Sequence, residues 1–116
     1  KDFAAFNNLN SHFLMTAHVL YKKIDSKKSA TISKKIINKI IRKKLKYKGI
    51  IISDDISMKA LSKDIVTNAK KALNAGCNLV LHCSGDIKET TSLLNNLNTI
   101  DKFTRKKTHH FYEFLR

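Results

Sequence analysis

Two adjacent carboxylates, Asp54 and Asp55, follow the short apolar run Ile50 to Ile52. A β-branched run of this kind is typical of a buried strand in a parallel sheet. Acids at the carboxyl end of such a strand lie where α/β barrels and open α/β sheets carry out their chemistry. A carboxylate there can bind a metal, act as a base, or attack a sugar carbon as a nucleophile. The residues by themselves leave these three roles open.

Polar residues accompany two further apolar runs in the same way. His18 follows residues 12–17, and His82 and Ser84 lie at the end of residues 78–83. A single histidine after a strand is more often structural than catalytic. If the three strands are parallel neighbours, however, their carboxyl ends share one edge, and the polar groups converge there. This repetition indicates a site near Asp54.

Apolar residues at helical spacing follow each predicted strand, and capping residues mark where the helices begin and end. The first predicted helix runs from a cap at Ser33 through Leu45 and ends at Tyr47-Lys48-Gly49, with Gly49 as its stop. The others run from a cap at Ser62 or Asp64 to Gly76, and from a turn at residues 84–86 to Leu97. A surface helix is predicted within residues 100–116, and residues 1–10 are predicted to end an earlier helix, with Phe3 and Phe6 on its apolar side.

Alternating strands and helices predict an α/β fold with parallel strands and right-handed crossovers. The repeat of about 30 residues is typical of a (β/α)8 barrel or a doubly wound sheet. Three strands cannot close a barrel, and an isolated three-stranded sheet has two unpaired edges. Residues 1–116 are therefore predicted to be a single, incomplete domain.

Composition excludes several classes of protein. Hydrophobic residues make up 42% of the chain, which argues against disorder. No apolar run approaches the roughly 20 residues of a membrane span, and the first residues lack the order of a signal peptide, so a cytoplasmic protein without a membrane partner is predicted. Cys77 and Cys83 would be about 20 Å apart on an extended strand, too far for a disulfide, and both are interpreted as partly buried apolar residues.

The formal net charge of +14 makes a nucleic-acid partner a candidate. Only Arg42, Arg105 and Arg116 are arginines, although arginine carries most bidentate recognition of bases and phosphates. The densest lysine cluster, residues 34–48, is interpreted as the solvated face of a helix. Only nonspecific binding of polyanions is therefore expected, and a basic polyanion-binding domain is the alternative function.

A series of segments, in order and with the expected spacing, resembles glycoside hydrolase family 3, and most closely its bacterial cytoplasmic β-N-acetylhexosaminidases. The segments are Met15–Tyr21, Ile24-Asp25, Ser33 with Ile41–Leu45, Gly49–Ala60 and Ala75–Leu81. Any one of them would be a weak signal, but the resemblance extends over residues 3 to about 97.

The resemblance implies a TIM-type (β/α)8 barrel, of which this chain would supply the last three βα units. It also implies a retaining enzyme in which a carboxylate forms a covalent glycosyl-enzyme. The family's nucleophile is the Asp after the Ser or Thr that ends the strand, which is Asp54 here. His18, Met58 and His82 are candidates for supporting roles near the sugar pocket. The implied substrate is N-acetylglucosamine β-linked to a muramyl unit in recycled cell-wall fragments. No cofactor is expected, and no His-x-x-His pair or Glu-rich set near Asp54 supports a metal.

The departures from the family pattern limit what this chain is expected to do alone. The general acid/base of these enzymes lies in a KHFPGHG segment followed by DSH, which these 116 residues lack. His109 and His110 come too late and are interpreted as surface residues. Asn78 replaces the Asp usual in the family's AGCD stretch. The chain is therefore predicted to be a C-terminal fragment, inactive alone, that an N-terminal chain could complement; an unstable, nonfunctional remnant is the other alternative.

Overall fold

The computed structural model describes residues 3–7, 10–62 and 64–116, which form one parallel sheet flanked by helices. The elements are β1 (Phe13–Met15), a π-helix (Lys35–Lys44), β2 (Ile50–Asp55), α1 (Ile65–Ala75), β3 (Leu79–Leu81), α2 (Ile87–Asn96) and α3 (Lys102–Phe114), with short 3-10 turns at Ala4–Phe6 and Ala30–Ile32. The predicted alternation of strands and helices is confirmed. No helix in the described ranges is both long and apolar enough to span a membrane.

The three strands lie in the order β1-β2-β3, and both pairs are parallel, as predicted. Phe13 pairs with Ile50 and Met15 with Ile52. The carboxyl ends of all three strands therefore meet at one edge of the sheet, with β2 in the middle.

Aspartates begin the three α-helices and explain where they start. The carboxylate of Asp64 accepts the N–H of Val66, that of Asp86 accepts two N–H groups, and that of Asp101 accepts the N–H of Thr104. Each side chain satisfies donors that the first helical turn leaves unpaired. The predicted caps at Asp64 and Asp86 are confirmed, and Gly76 ends α1 in the left-handed region at φ 119°.

The local structure differs from the prediction in three places. Residues 3–7 form a single 3-10 turn instead of the end of a helix, and residues 1, 2, 8 and 9 lie outside the described ranges. The first long helix ends at Lys44, before the predicted end at residues 47–49, and closes with π-type bonds, because the N–H of Leu45 donates to the carbonyl of Ile40, five residues back. β2 continues to Asp55 instead of ending at Ile52, whereas β1 and β3 are shorter than predicted.

The core lies between one face of the sheet and the helices. Ile36, Ile37 and Ile41 of the π-helix are buried against Ile51 of β2 and Ala72 of α1. These isoleucines lie at the helical spacing from which the helix was predicted, and their burial places the lysines of the same helix on its solvent side.

The opposite face of the sheet is covered only in part. Phe111 of α3 packs edge-on against Phe13 at 4.9 Å between ring centroids. Met15, two residues further along the same face, is 57% exposed, and its partner Ile52 is half-buried. In a closed barrel this face would point inward and be filled by side chains of the other strands.

Candidate active site

Asp54 lies in an irregular part of β2. The register between β2 and β3 shifts between Ile52 and Asp55, so β2 has one residue more than β3 over this stretch. Such a β-bulge bends a strand and redirects its side chains, and bulges occur often beside active sites. The side-chain Oγ of Ser53 accepts the N–H of Leu81 at 3.0 Å, so this backbone donor keeps a partner.

Hydrogen bonds hold Asp54 on both its backbone and its carboxylate. Its N–H donates to Oγ1 of Thr16 at 3.3 Å, and that hydroxyl pairs with Oγ1 of Thr31 at 2.9 Å in the buried layer. Its Oδ1 accepts the N–H of Asp55 at 2.9 Å. Within residues 10–62 and 64–116, no group hydrogen-bonds to Oδ2 of Asp54. One carboxylate oxygen is thus oriented while the other is available to a ligand.

The side chain of Asp55 ties β2 to the end of β3. Its carboxylate accepts the N–H and the hydroxyl of Ser57 at 3.0 and 2.6 Å, and the N–H of Cys83 at 3.1 Å. Burial acts to raise the pKa of this carboxyl, but the bonds from Ser57 and Cys83, with the nearby charge of His82, outweigh it and lower the pKa. Asp55 is therefore an ionised structural acceptor at neutral pH.

His18 comes from the loop after β1 and reaches the same residue. Its Nε2 lies 2.8 Å from the backbone carbonyl oxygen of Asp55, which can only accept, so Nε2 carries the proton. Its Nδ1 is buried and has no hydrogen-bond partner among the described residues. The structure thus brings His18 to the end of β2, next to the residue that follows Asp54.

His82 and Ser84, after β3, meet Glu89 of α2 in a small cluster. Nε2 of His82 lies 2.8 Å from Oε2 of Glu89, and the hydroxyl of Ser84 donates to that oxygen at 2.7 Å. The Ser84 bond, then the His82 bond, lower the pKa of Glu89. Oγ of Ser84 also lies 2.8 Å from Nε2 of His82, so the hydroxyl, the imidazole and the carboxylate contact one another beside the end of β3.

Met58 lies in the turn that follows β2 and is 45% exposed. Its N–H donates to the carbonyl of Asp55 at 3.2 Å. An open cleft lies beside this turn, bordered by Lys59, Ile65 and Glu89. Met58 thus has an exposed apolar side chain at the edge of the sheet where Asp54 lies.

The two cysteines differ more than the sequence suggested. Cys77 is buried, which raises the pKa of its thiol to about 12, but Cys83 is exposed. The prediction that both are partly buried is wrong for Cys83, because β3 ends at Leu81 and leaves Cys83 in the following loop. In the described part of the chain, no three His, Cys, Asp or Glu side chains lie together as a metal site would require.

Sequence reasoning missed the hydroxyl groups of Thr16 and Ser53, which support Asp54 in the bulge. A signal was available, since each is a hydroxyl residue inside or beside an apolar strand and close to its polar end. The role of Glu89 had no such signal, because its partner His82 is seven residues away across a loop.

Comparison with known proteins gives a consistent result. The glycosyl hydrolase family 3 N-terminal domain matches residues 3–110. A beta-hexosaminidase of Haemophilus influenzae is 41% identical over 98 residues, which cover 83% of this chain and 26% of that protein. One of Methylobacillus flagellatus is 40% identical over 84 residues, 71% of this chain and 24% of that protein.

A solved structure is also similar to this chain. The family 3 beta-N-acetylglucosaminidase of a Paenibacillus species superimposes with a TM-score of 0.67 at 34% identity, over 74% of this chain and 17% of that one. The chain spans about a quarter of the length of the two curated relatives above. Its three parallel strands and their helices are consistent with part of a TIM-type barrel. With this match over most of its length, the chain belongs to glycoside hydrolase family 3, within the N-terminal domain of that family.

Proposed function

We propose that this chain carries the nucleophile of a retaining glycosidase, and that Asp54 is the attacking residue. The observation that supports this most is the state of its carboxylate: Oδ1 is held by the N–H of Asp55, and Oδ2 has no hydrogen-bond partner among the described residues. A retaining mechanism needs one carboxylate oxygen held rigidly below the sugar ring to attack the anomeric carbon. Asp54 lies near the end of β2, which pairs with β1 on one side and β3 on the other, and this position supplies that rigidity.

The proposed substrate is a saccharide with a terminal β-linked N-acetylglucosamine. The named activities of the relatives, beta-hexosaminidase and beta-N-acetylglucosaminidase, support this class. We propose more specifically that the saccharide is a muramyl-linked fragment of the cell wall, and that the reaction takes place in the cytoplasm. His18, Met58 and His82 would have supporting roles around Asp54.

We further propose that residues 1–116 are the C-terminal part of the barrel and are inactive alone. In the described part of the chain, three strands leave the outer edges of β1 and β3 unpaired, and Met15 is exposed on the inner face. A general acid contributes about 10²–10⁴-fold to such reactions. Among the described residues, the titratable side chains beside Asp54 are His18 and Asp55, and both already hold the strand ends. The remaining strands, with the acid, would come from an N-terminal chain.

Complementation tests this function. The chain is co-expressed with the part of the Haemophilus influenzae beta-hexosaminidase that precedes the matched segment, and is assayed on a chromogenic N-acetylglucosaminide. Activity is expected only when both parts are present, and Asp54→Ala should abolish it. His109→Ala, at an exposed position of α3, is the matched control and should leave the activity unchanged. Activity that survives Asp54→Ala would refute the assignment.

A second candidate function is nonspecific binding of polyanions. Lysines 34, 35, 39, 43 and 44 are all exposed on the π-helix or at its start, and the chain has a net charge of +14. Binding to an oligonucleotide would then fall steeply with salt, with a slope set by the number of phosphate contacts. A shallow slope, or no binding at low salt, would exclude this function.

A further inference from the structure

Asp55 links all three strand ends around the proposed nucleophile. Its carbonyl accepts Nε2 of His18, from the β1 side, at 2.8 Å. Its carboxylate accepts the N–H of Cys83, from the β3 side, at 3.1 Å. Its own N–H donates to Oδ1 of Asp54 at 2.9 Å. The position of the Asp54 carboxylate therefore depends on where the backbone of Asp55 is held.

His18 is placed to hold this backbone and not to touch a sugar. Its Nε2 is used by the Asp55 carbonyl, and its Nδ1 is buried, so neither ring nitrogen is free to meet a ligand. The N–H of Met58 also donates to the Asp55 carbonyl, at 3.2 Å, but that bond closes the turn within the same chain segment. Among the described residues, His18 alone hydrogen-bonds to this carbonyl from the β1 side.

We propose that His18 and the Asp55 side chain are positioning residues that act together through the Asp55 backbone on the attacking carboxylate. The proposal rests on the proposed role of Asp54 as nucleophile. His18 holds the carbonyl from one side, and the carboxylate of Asp55 anchors the same residue to β3 from the other. Together they keep the N–H of Asp55 directed at Oδ1 of Asp54, which leaves Oδ2 facing the substrate. A displacement of about 1 Å at a reacting group can cost about 10²-fold in rate.

The first arm of the test needs no activity and uses the chain by itself. In a ¹⁵N-labelled sample, NMR should find His18 as the Nε2–H tautomer, and the Asp55 amide proton shifted downfield by its bond to Asp54. His18→Leu should move that amide resonance toward the value of an unbonded amide, and His18→Gln, which keeps an N–H donor, should move it less. An Asp55 amide resonance that is the same in His18→Leu as in the parent chain would overturn the proposal. His109→Leu, at an exposed histidine, is the matched control.

The second arm measures the formation of the glycosyl-enzyme in the complemented barrel. His18→Leu and Asp55→Ala should each lower kcat by about 10–100-fold, with KM changed little, because they disturb the alignment for attack and not the contacts with the sugar. Asp55→Asn keeps an acceptor oxygen for the N–H of Cys83 and should recover part of the loss. The fold decrease in kcat of the double variant should be smaller than the product of the two single decreases, since both residues hold one backbone segment.

The outcomes separate this proposal from the proposed function. If the parent barrel forms no covalent glycosyl-enzyme on Asp54, the nucleophile assignment fails, and the NMR arm still decides whether His18 and Asp55 orient that carboxylate. If the covalent species forms and His18→Leu forms it at the parent rate, the positioning role fails and the nucleophile assignment stands. If the fold decrease in kcat of the double variant equals the product of the two single decreases, the two residues act independently, and this result would also contradict a shared action.

Discussion

Arg42 donates from Nη2 to the side-chain oxygen of Asn78 at 2.7 Å, and this contact joins the π-helix to the start of β3. Its Nη1 donates to the carbonyls of Tyr47 and Gly49 at 3.1 and 2.7 Å. All three acceptors are neutral, and burial lowers the pKa of the guanidinium. The family resemblance of the sequence implies an Asp at position 78, so a carboxylate there is expected to pair with Arg42 where this chain has an amide.

Asn78→Asp is expected to stabilise the chain by about 1 kcal/mol at pH 7, because a charge-assisted bond to Arg42 replaces a neutral one. The introduced carboxylate still accepts the N–H of Ile51, and the hydroxyl of Thr104 can donate to it. Arg42 should lower its pKa in the folded state. The gain in stability is then fully present above the pKa of the carboxyl in the unfolded state, about 3.9, and is lost as the pH falls through its pKa in the folded state.

Thermal unfolding from pH 3 to 8, with Asn78→Ala as the destabilised control, measures this effect. If Asn78→Asp lowers the melting temperature at pH 7, the hydrogen bond that the Asn78 amide donates to Thr104 contributes more to stability than a charge pair with Arg42 would.

The buried carboxylate of Asp25 supports the start of the π-helix. It accepts the hydroxyl of Ser33 at 2.7 Å and the N–H groups of Lys27 and Lys28 at 3.2 Å, and these bonds, Ser33 first, lower its pKa. Ser33 in turn accepts the N–H of Ile36 at 3.2 Å. Asp25 thus fixes the residue that caps the helix.

Asp25→Asn is expected to lower the melting temperature at neutral pH. Because the folded pKa of Asp25 lies below its ordinary value of 3.8, its contribution is present above that pH and is lost as the pH falls through the folded value. The difference between Asp25→Asn and the parent should therefore shrink in acid. A difference in melting temperature that is constant from pH 2 to 7 would contradict this account. Ser33→Ala should destabilise the chain at every pH in that range.

Gly76 is expected to tolerate no side chain. It has φ 119°, and a Cβ added there would lie 2.8 Å from Cγ2 of the buried Ile37. Gly76→Ala combines left-handed strain with overpacking and should cost about 2–4 kcal/mol. Gly85 also has a positive φ, of 73°, but open space around it, so Gly85→Ala should cost only the strain, about 1–2 kcal/mol. The free energies of unfolding of both variants are measured with urea. Equal losses in Gly76→Ala and Gly85→Ala would show that α1 and the π-helix do not pack as described.

Thiol reactivity reports whether the isolated chain holds this fold. Cys83 is exposed and should react with a disulfide reagent at pH 8, whereas Cys77 is buried with a pKa of about 12 and should react only after unfolding. One fast thiol is expected in the parent chain and none in Cys83→Ser. Two fast thiols without denaturant would favour the unstable remnant considered from the sequence.

Local signals in the sequence were sufficient for much of the fold. The aspartate caps and Gly76 marked helix ends, and the isoleucine spacing identified the buried side of the π-helix. The extension of β2 to Asp55 was not predictable in this way, since it depends on a hydroxyl of Thr16 that lies 38 residues away in the chain. The bulge depends in the same way on Ser53 and Leu81, which come together only after the sheet has formed.

The candidate site was predictable to a similar extent. Parallel strands require their ends to meet, so the approach of His18 to the end of β2 followed from the pattern of apolar runs. The atoms in contact could not be predicted from that pattern, because His18 binds the backbone carbonyl of Asp55 and not a carboxylate. The contact of His82 with Glu89 depends on how α2 packs after its cap at Asp86.

Covalent trapping tests the role of Asp54 most directly. The complemented barrel is incubated with an activated fluoro derivative of N-acetylglucosamine, which forms the glycosyl-enzyme faster than water can remove it, and the digested chain is analysed by mass spectrometry. We expect one added sugar, on the carboxylate of Asp54, and none in Asp54→Asn. A sugar attached to Asp55 or to any other residue, or turnover of substrate without a covalent species, would contradict Asp54 as the nucleophile.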